Sequence, residues 1–430
     1  MAAPSRAVAR LLPPGGPGRV LAATVLVNMI GYGMYLTAGV VYFTRSVRLP
    51  GGEVGLGLSV AGALALLAGI PVGHIADRRG ARGIYLCTLA LGFVAMAGLC
   101  VARDFWSFLA LASLGAIAYG AGPGARGPLI QEYGNDRPAE FRAYLRAVAN
   151  IGISVGALLA GWAVQVDTRA SYLLLIGGSA AAWAACTGIA AFLPAVAPVR
   201  AAAGPRWIAL RDRPYLVLTV LDGVMAVQYR VLTAAVPLWV LERVATARWS
   251  VSAVMLVNTC LVVLLQVRAS RTITTPRAGG AAFRRAGVAF LLACVLFSAL
   301  AWTPSWLAIP LLLGAAAVHT MGEIWHAAGG FEVSFALAPR HAVGQYQGLF
   351  GLGAGLGQAI GPAVLIALCI NCGVVGWLVV GTGFALCGAV VPVAVRRAER
   401  QRPGCGGGGV SNGGGSRCAP PPFADTFSGR

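Results

Sequence analysis

Lysine is absent from this chain; all 33 of its basic residues are arginine. Acids are scarce as well, 14 in 430 residues. Charged residues make up 11% of the sequence, where a soluble domain carries about 25%. That shortage of polar surface excludes a soluble enzyme or binding module and points to an all-α integral membrane protein. Without lysine there is no G-x-x-x-x-G-K-[ST] phosphate loop, which excludes ATP-driven pumping at such a loop in this chain. Long polar loops are missing too. The longest stretch between apolar runs, 194–213, is about 20 residues. That is little room for the catalytic cluster of a membrane enzyme, and no attached signalling segment argues for a sensor. A membrane enzyme and a membrane sensor are kept as alternatives.

The net charge of +19 does not mark a nucleic-acid binder. The arginines fall in short clusters between apolar runs rather than on one face of a domain. Ten cysteines are scattered, most of them inside apolar runs, where the thiol behaves as a small hydrophobe. Cys369 and Cys372 form a single CxxC, too little for a metal site.

What the chain has in abundance is apolar length. A span needs about 20 such residues, and twelve candidates occur: 20–44, 53–75, 83–102, 105–125, 144–166, 171–193, 214–240, 249–267, 285–302, 306–329, 342–369 and 373–395. The first is too long for a cleaved signal and is read as a retained span. Arginines on alternate sides divide 26 to 6, with Arg230 inside a span. That bias predicts both termini in the cytoplasm. The organisation expected is a cytoplasmic tail 1–19, a six-helix bundle 20–193, a central cytoplasmic loop 194–213, a second six-helix bundle 214–395 and a disordered Gly-rich tail 396–430. The halves look duplicated. An offset of 193 aligns Arg78 with Arg271, 194 aligns Asn28 with Asp222 and Tyr35 with Tyr229, and 201 aligns Gly152 with Gly353 and Gly156 with Gly357. Parallel halves around a central cavity are a transporter architecture.

Between spans 2 and 3 stands "GHIADRRGAR", residues 73–82. Gly73-x-x-x-Asp77-Arg78-x-Gly80-x-Arg82 resembles the loop signature of the major facilitator superfamily, G-x-x-x-D-R-x-G-R-R, with Ala81 in place of one Arg. The second-half copy, "QVRASRTITTPR", puts Gln266 for the Gly and Ser270 for the Asp and keeps Arg271. The stretches 236–243, 322–339 and 344–362 look like those of drug or metabolite exporters in that superfamily. Span 5 has Gly152, Gly156 and Gly161 but lacks the Gly-Pro ending of the antiporter signature. The resemblance implies two pseudo-symmetric six-helix bundles and alternating access. It further implies proton-coupled efflux of a small organic molecule, with proton-coupled import as the alternative. It also implies that spans 2 and 11 meet, with Asp77, Arg78 and Arg82 latching the cytoplasmic side. The partners expected are substrate, proton and lipid bilayer, for a monomer in the cell membrane with no cofactor.

Ionisable side chains inside spans are functional candidates by default. Glu323 and Asp222 are the candidates to bind and release a proton, since burial of a carboxyl favours its neutral form. A fixed buried pair between Arg230 and a carboxylate is the competing reading. His319, Glu323 and His326 recur at i, i+4, i+7 and share a helix face; one helix supplies too few ligands for a metal. Asn28, Tyr32 and Tyr35 form a polar-aromatic stripe on span 1. With Tyr229, Arg230, Asn258, His319 and His326 they are expected to line the cavity. Arg142 and Arg146 read as cytoplasmic anchors, and Arg126 as the end of span 4.

Overall fold

The computed structural model describes residues 16–166, 168–197, 207–243 and 249–401. The expectations for residues 1–15, 198–206 and 402–430 lie outside the described residues.

In a bilayer each backbone N–H and C=O needs an internal partner, and a helix supplies one within itself. Twelve helices among the described residues are long and apolar enough to cross a membrane, and no strand occurs among them. They are α1 Pro17–Val41, α2 Gly51–Arg79, α3 Ala81–Leu99, α4 Phe105–Tyr133, α5 Pro138–Val166, α6 Arg169–Ala190, α7 Arg213–Leu241, α8 Trp249–Arg271, α9 Pro276–Ala299, α10 Ser305–Ala336, α11 Val343–Leu365 and α12 Gly373–Arg400. Side chains satisfy N–H groups left over at several starts. Asp104 accepts from Trp106 and Ser107 at 3.0 Å, Thr168 from Ser171 at 3.2 Å, and Thr275 from Ala278 at 3.1 Å.

Several helices outrun their apolar windows. The fourth continues to Tyr133, and the fifth starts at Pro138. The eighth ends at Arg271, and the ninth starts at Pro276. An apolar window stops where arginines cluster, but the hydrogen-bond ladder does not. The consequence is a correction: Arg126, Arg142 and Arg146 are not at helix ends but within α4 and α5.

Two large hydrophobic cores result, beside a small cluster of Ile273, Ala282 and Ala328. One draws on residues between Leu21 and Leu193, with Phe335 and Val343 added. The other runs from Ala209 to Ala398, with Ile70 added. The three borrowed residues lie on α2, α10 and α11, where the halves meet. In the second core Trp239 donates its indole N–H to the Phe297 carbonyl at 2.9 Å. The outer surface is apolar: Leu158, Phe192 and Trp306 are each more than three-quarters exposed, a surface that fits lipid.

The glycine offset of 201 has a structural counterpart. A Cβ on Gly156 would collide with the Ile30 carbonyl, and one on Gly357 with the Gly223 carbonyl. Both halves thus bring two helix backbones together at the matched position, α1 on α5 and α7 on α11.

Candidate transport site and its rim

Gly73 is one of the glycines, with Gly69, Gly344 and Gly348, that let α2 reach α11. A Cβ on Gly73 would collide with the Gly344 carbonyl. The close crossing sets Asp77 against the first turn of α11, whose N–H groups have no partner within the helix. Asp77 Oδ1 accepts from Gly344 N at 2.7 Å and Oδ2 from Gln345 N at 3.0 Å. A carboxylate on a helix N-terminus is stabilised by those charge-assisted bonds and by the helix dipole. Gly80, at φ +99°, makes the one-residue turn into α3. Arg82 then donates to the Ala191 carbonyl beyond α6 at 2.6 Å. Arg78 is exposed at the end of α2.

The equivalent corner of the second half joins α8 to α5. Ser270, standing where the first half has Asp77, donates its hydroxyl to the Ala139 carbonyl at 3.3 Å. Arg271 pairs with Glu140 at 2.6 Å. Arg271 is 44% exposed, so its pair contributes at most about 1 kcal/mol. Arg271→Gln is therefore expected to slow flux by no more than about fivefold. Asp77→Asn, which loses a buried doubly bonded carboxylate, is expected to cost more in the same assay.

Deeper in the interface, Arg146 of α5 crosses to the second half. It donates to Glu323 Oε1 of α10 at 2.5 Å and to the Tyr229 hydroxyl of α7 at 2.7 Å. Its guanidinium carbon lies 5.0 Å from the Tyr229 ring centre. The other Glu323 oxygen accepts from Asn258 Nδ2 of α8 at 2.8 Å. One cation from the first half is thus held by two helices of the second, α7 and α10, and α8 braces the carboxylate. One turn before Arg146, Arg142 bonds Gln347 and lies 3.4 Å from Ser334 Oγ, with Phe331 and Phe335 against its guanidinium. A separate buried pair, His326 Nε2 to Asp222 Oδ1 at 3.0 Å, lies wholly within the second half.

Two cavities open between the halves. One of about 300 Å³ is lined by Arg142, Arg146, Asn150, Asp222, Tyr229 and His326 among others. A second of about 220 Å³ adds Tyr119, Arg126 and Gln347 and shares Arg142 and Arg146. Beside them α7 changes pitch: a 3-10 turn at Val227–Arg230 runs into a π turn at Val231–Ala235, an irregularity common near functional sites.

A family model described as the Major Facilitator Superfamily matches residues 21–362. The chain belongs to that superfamily. Three solved structures show the likeness of fold. The human organic anion transporter MFSD10 (TETRAN) is 16% identical with a TM-score of 0.64, over 88% of this chain and 100% of that one. The proton:xylose symporter XylE is 11% identical with a TM-score of 0.64, over 89% and 95%. A bacterial homologue of the iron transporter ferroportin in an outward-facing state is 11% identical with a TM-score of 0.71, over 90% and 100%. A search of curated protein sequences returned no match.

Within this superfamily fold, the structure gathers Asp222, Tyr229, Asn258, Glu323 and His326 around the halves' interface. The histidine–glutamate stripe is split among three neighbourhoods: Glu323 faces Arg146, His326 faces Asp222, and the His319 ring lies 5.1 Å from Phe290 and 6.5 Å from Phe297. Tyr32 stacks on Tyr119 at 4.4 Å, and Tyr119 lines the second cavity. Of the residues expected to line the cavity, Tyr229 and His326 do, while Asn28, Tyr32, Tyr35, Arg230, Asn258 and His319 line neither cavity, nor does Glu323. Arg230 does not form the carboxylate pair of the competing reading; its Nε donates to the Gln358 carbonyl at 3.1 Å. Arg146, read as an anchor, takes the carboxylate instead. Arg142, Arg146 and Asn150 recur every fourth residue, so the sequence itself placed them on one face of α5.

Proposed function

We propose that the protein is a secondary active transporter whose two halves rock about the central cavity, moving a small organic anion together with a proton. The observation that carries this reading is the Arg146–Glu323 pair, which joins one half to the other beside the cavities that Arg146 lines. A proton on Glu323 removes the charge that holds Arg146. An acidic group of the substrate then supplies the anion that the arginine lacks. Proton and anion favour each other's binding, which is a coupling free energy between two sites. Linked in this way, they travel in the same direction. Efflux by exchange would need a substrate that competes with the proton for a carboxylate. Asp222 and Glu323 already face His326 and Arg146, so a cationic substrate would have to displace one of them. The cavity linings hold Arg126, Arg142 and Arg146 against Asp222, a balance that favours an anion.

Asp77, with Gly73, Gly80, Arg78 and Arg82, is the clasp of the rim in this reading. Ser270, Arg271 and Glu140 form the matching corner. The arginine split of 26 to 6 supports a cytoplasmic rim. The fold neighbours are an organic anion transporter, a xylose symporter and a homologue of an iron transporter, so the substrate class rests on the cavity's charges.

The test uses proteoliposomes with pyranine inside and a panel of organic carboxylates and sulfonates outside. A carried anion is expected to acidify the lumen faster than in protein-free vesicles. Glu323→Gln, which mimics the protonated state, is expected to carry the anion without moving protons, and Asp222→Asn to keep the coupling. Alkalinisation of the lumen would establish exchange. Transport of an anion with no pH change would remove the proton from the mechanism.

A further inference from the structure

Outside the interface, the start of α7 and the end of α12 leave a groove of about 440 Å³ at the arginine-rich end. Its polar wall holds Arg213, Arg397 and Gln401, and its apolar wall holds Val217, Val390 and Val393. Helical spacing makes the arrangement. Arg213 and Val217 are four residues apart on α7, while Val390, Val393 and Arg397 recur at i, i+3, i+7 on α12. Each helix therefore sets a guanidinium at the end of an apolar strip. The three valines are about half exposed, and both arginines are exposed.

No acid lines the groove, and the acids beside it in sequence are engaged elsewhere. Asp212 accepts from Tyr215 N and from the Tyr346 hydroxyl at 2.8 Å. Glu399 takes Arg277 at 2.9 Å. The groove shares no lining residue with either central cavity.

We propose that this groove binds an anionic phospholipid, with its phosphate across Arg213 and Arg397 and an acyl chain along the valines. The outer surface of the bundle is covered by lipid, so acyl chains meet the valines in any case. Charge complementarity then selects the headgroup. Guanidinium forks suit phosphate oxygens, and basic pockets between membrane helices hold anionic headgroups. A zwitterionic headgroup would bring its own cation towards two arginines. A free phosphate would leave the valine half of the groove without a partner. The bound lipid would hold α7 to α12 at the end where Asp212 ties α7 to Tyr346 of α11.

Native mass spectrometry of the delipidated full-length protein tests this. Phosphatidylglycerol and phosphatidylcholine of identical acyl chains are titrated separately. Wild type is expected to bind phosphatidylglycerol preferentially. Arg213→Gln/Arg397→Gln is expected to weaken that binding about 30-fold, with unchanged thermal unfolding. Arg396→Gln/Arg400→Gln removes the same charge from the same end of α12 and is expected to keep it. Three results would overturn the assignment: equal binding of the two lipids, equal loss in the control variant, or displacement of the lipid by millimolar inorganic phosphate.

Discussion

Arg146→Ala is expected to reduce transport at least 100-fold per folded molecule and to lower thermal stability. The guanidinium holds Glu323 and Tyr229 at once, with the Arg146 side chain 19% exposed and that of Glu323 10%. Removing one partner of a buried pair costs about 3–5 kcal/mol, because the other charge is left unpaired. Asn258 would remain the donor to Glu323, and a neutral amide does not replace a cation. Arg146→Lys is expected to lose at least tenfold as well, since an ammonium cannot serve the carboxylate and the hydroxyl with a rigid fork. Arg146→Ala/Glu323→Gln separates the two roles. Stability should return in part, because no unpaired charge is left, while transport stays lost. Flux in proteoliposomes and thermal unfolding of the same preparations check both arms. Normal flux in Arg146→Ala would reduce the pair to helix packing.

Gly73→Val is expected to hold the rim open. Its first side-chain carbon would collide with the Gly344 carbonyl, and backbone cannot move aside as a flexible side chain can. Overpacking of this kind costs about 1–3 kcal/mol when the structure can adjust; the adjustment here is separation of α2 from α11. Asp77 then loses both N–H donors. Gln345 is 5% exposed behind the closed rim, so a cysteine there reports directly. In a background without native cysteines, Gln345→Cys should resist a water-soluble maleimide. With Gly73→Val added it should react readily, and transport should fall at least 100-fold because the rim-closed half of the cycle is missing. Continued protection of Gln345→Cys in the Gly73→Val protein would separate the glycine from closure.

The fold was legible because its signals are redundant. Twelve apolar runs and matched glycines encode the same bundle. Asp77 was legible for a similar reason, since its signature sits at a helix end. The centre was harder to read. Hydropathy windows end where arginines cluster, so Arg142 and Arg146 fell at the edge of a window although α5 carries both inside. Which carboxylate meets which cation depends on how the halves face one another, and helical spacing reports only the face within one helix. Arg230 illustrates this: it lies in a span yet turns to a backbone carbonyl, while Arg146 reaches Glu323 from the opposite half.

The most direct test is the distance between the halves. Spin labels at Arg79→Cys and Arg340→Cys, both exposed positions flanking the α2–α11 crossing, are measured by pulsed dipolar spectroscopy in a background without native cysteines. With Glu323 and Arg146 intact, a short separation should dominate. Glu323→Gln should transfer population to a longer one, and Gly73→Val should show the longer one alone. Identical narrow distributions in all three proteins would contradict a rim whose closure depends on those contacts.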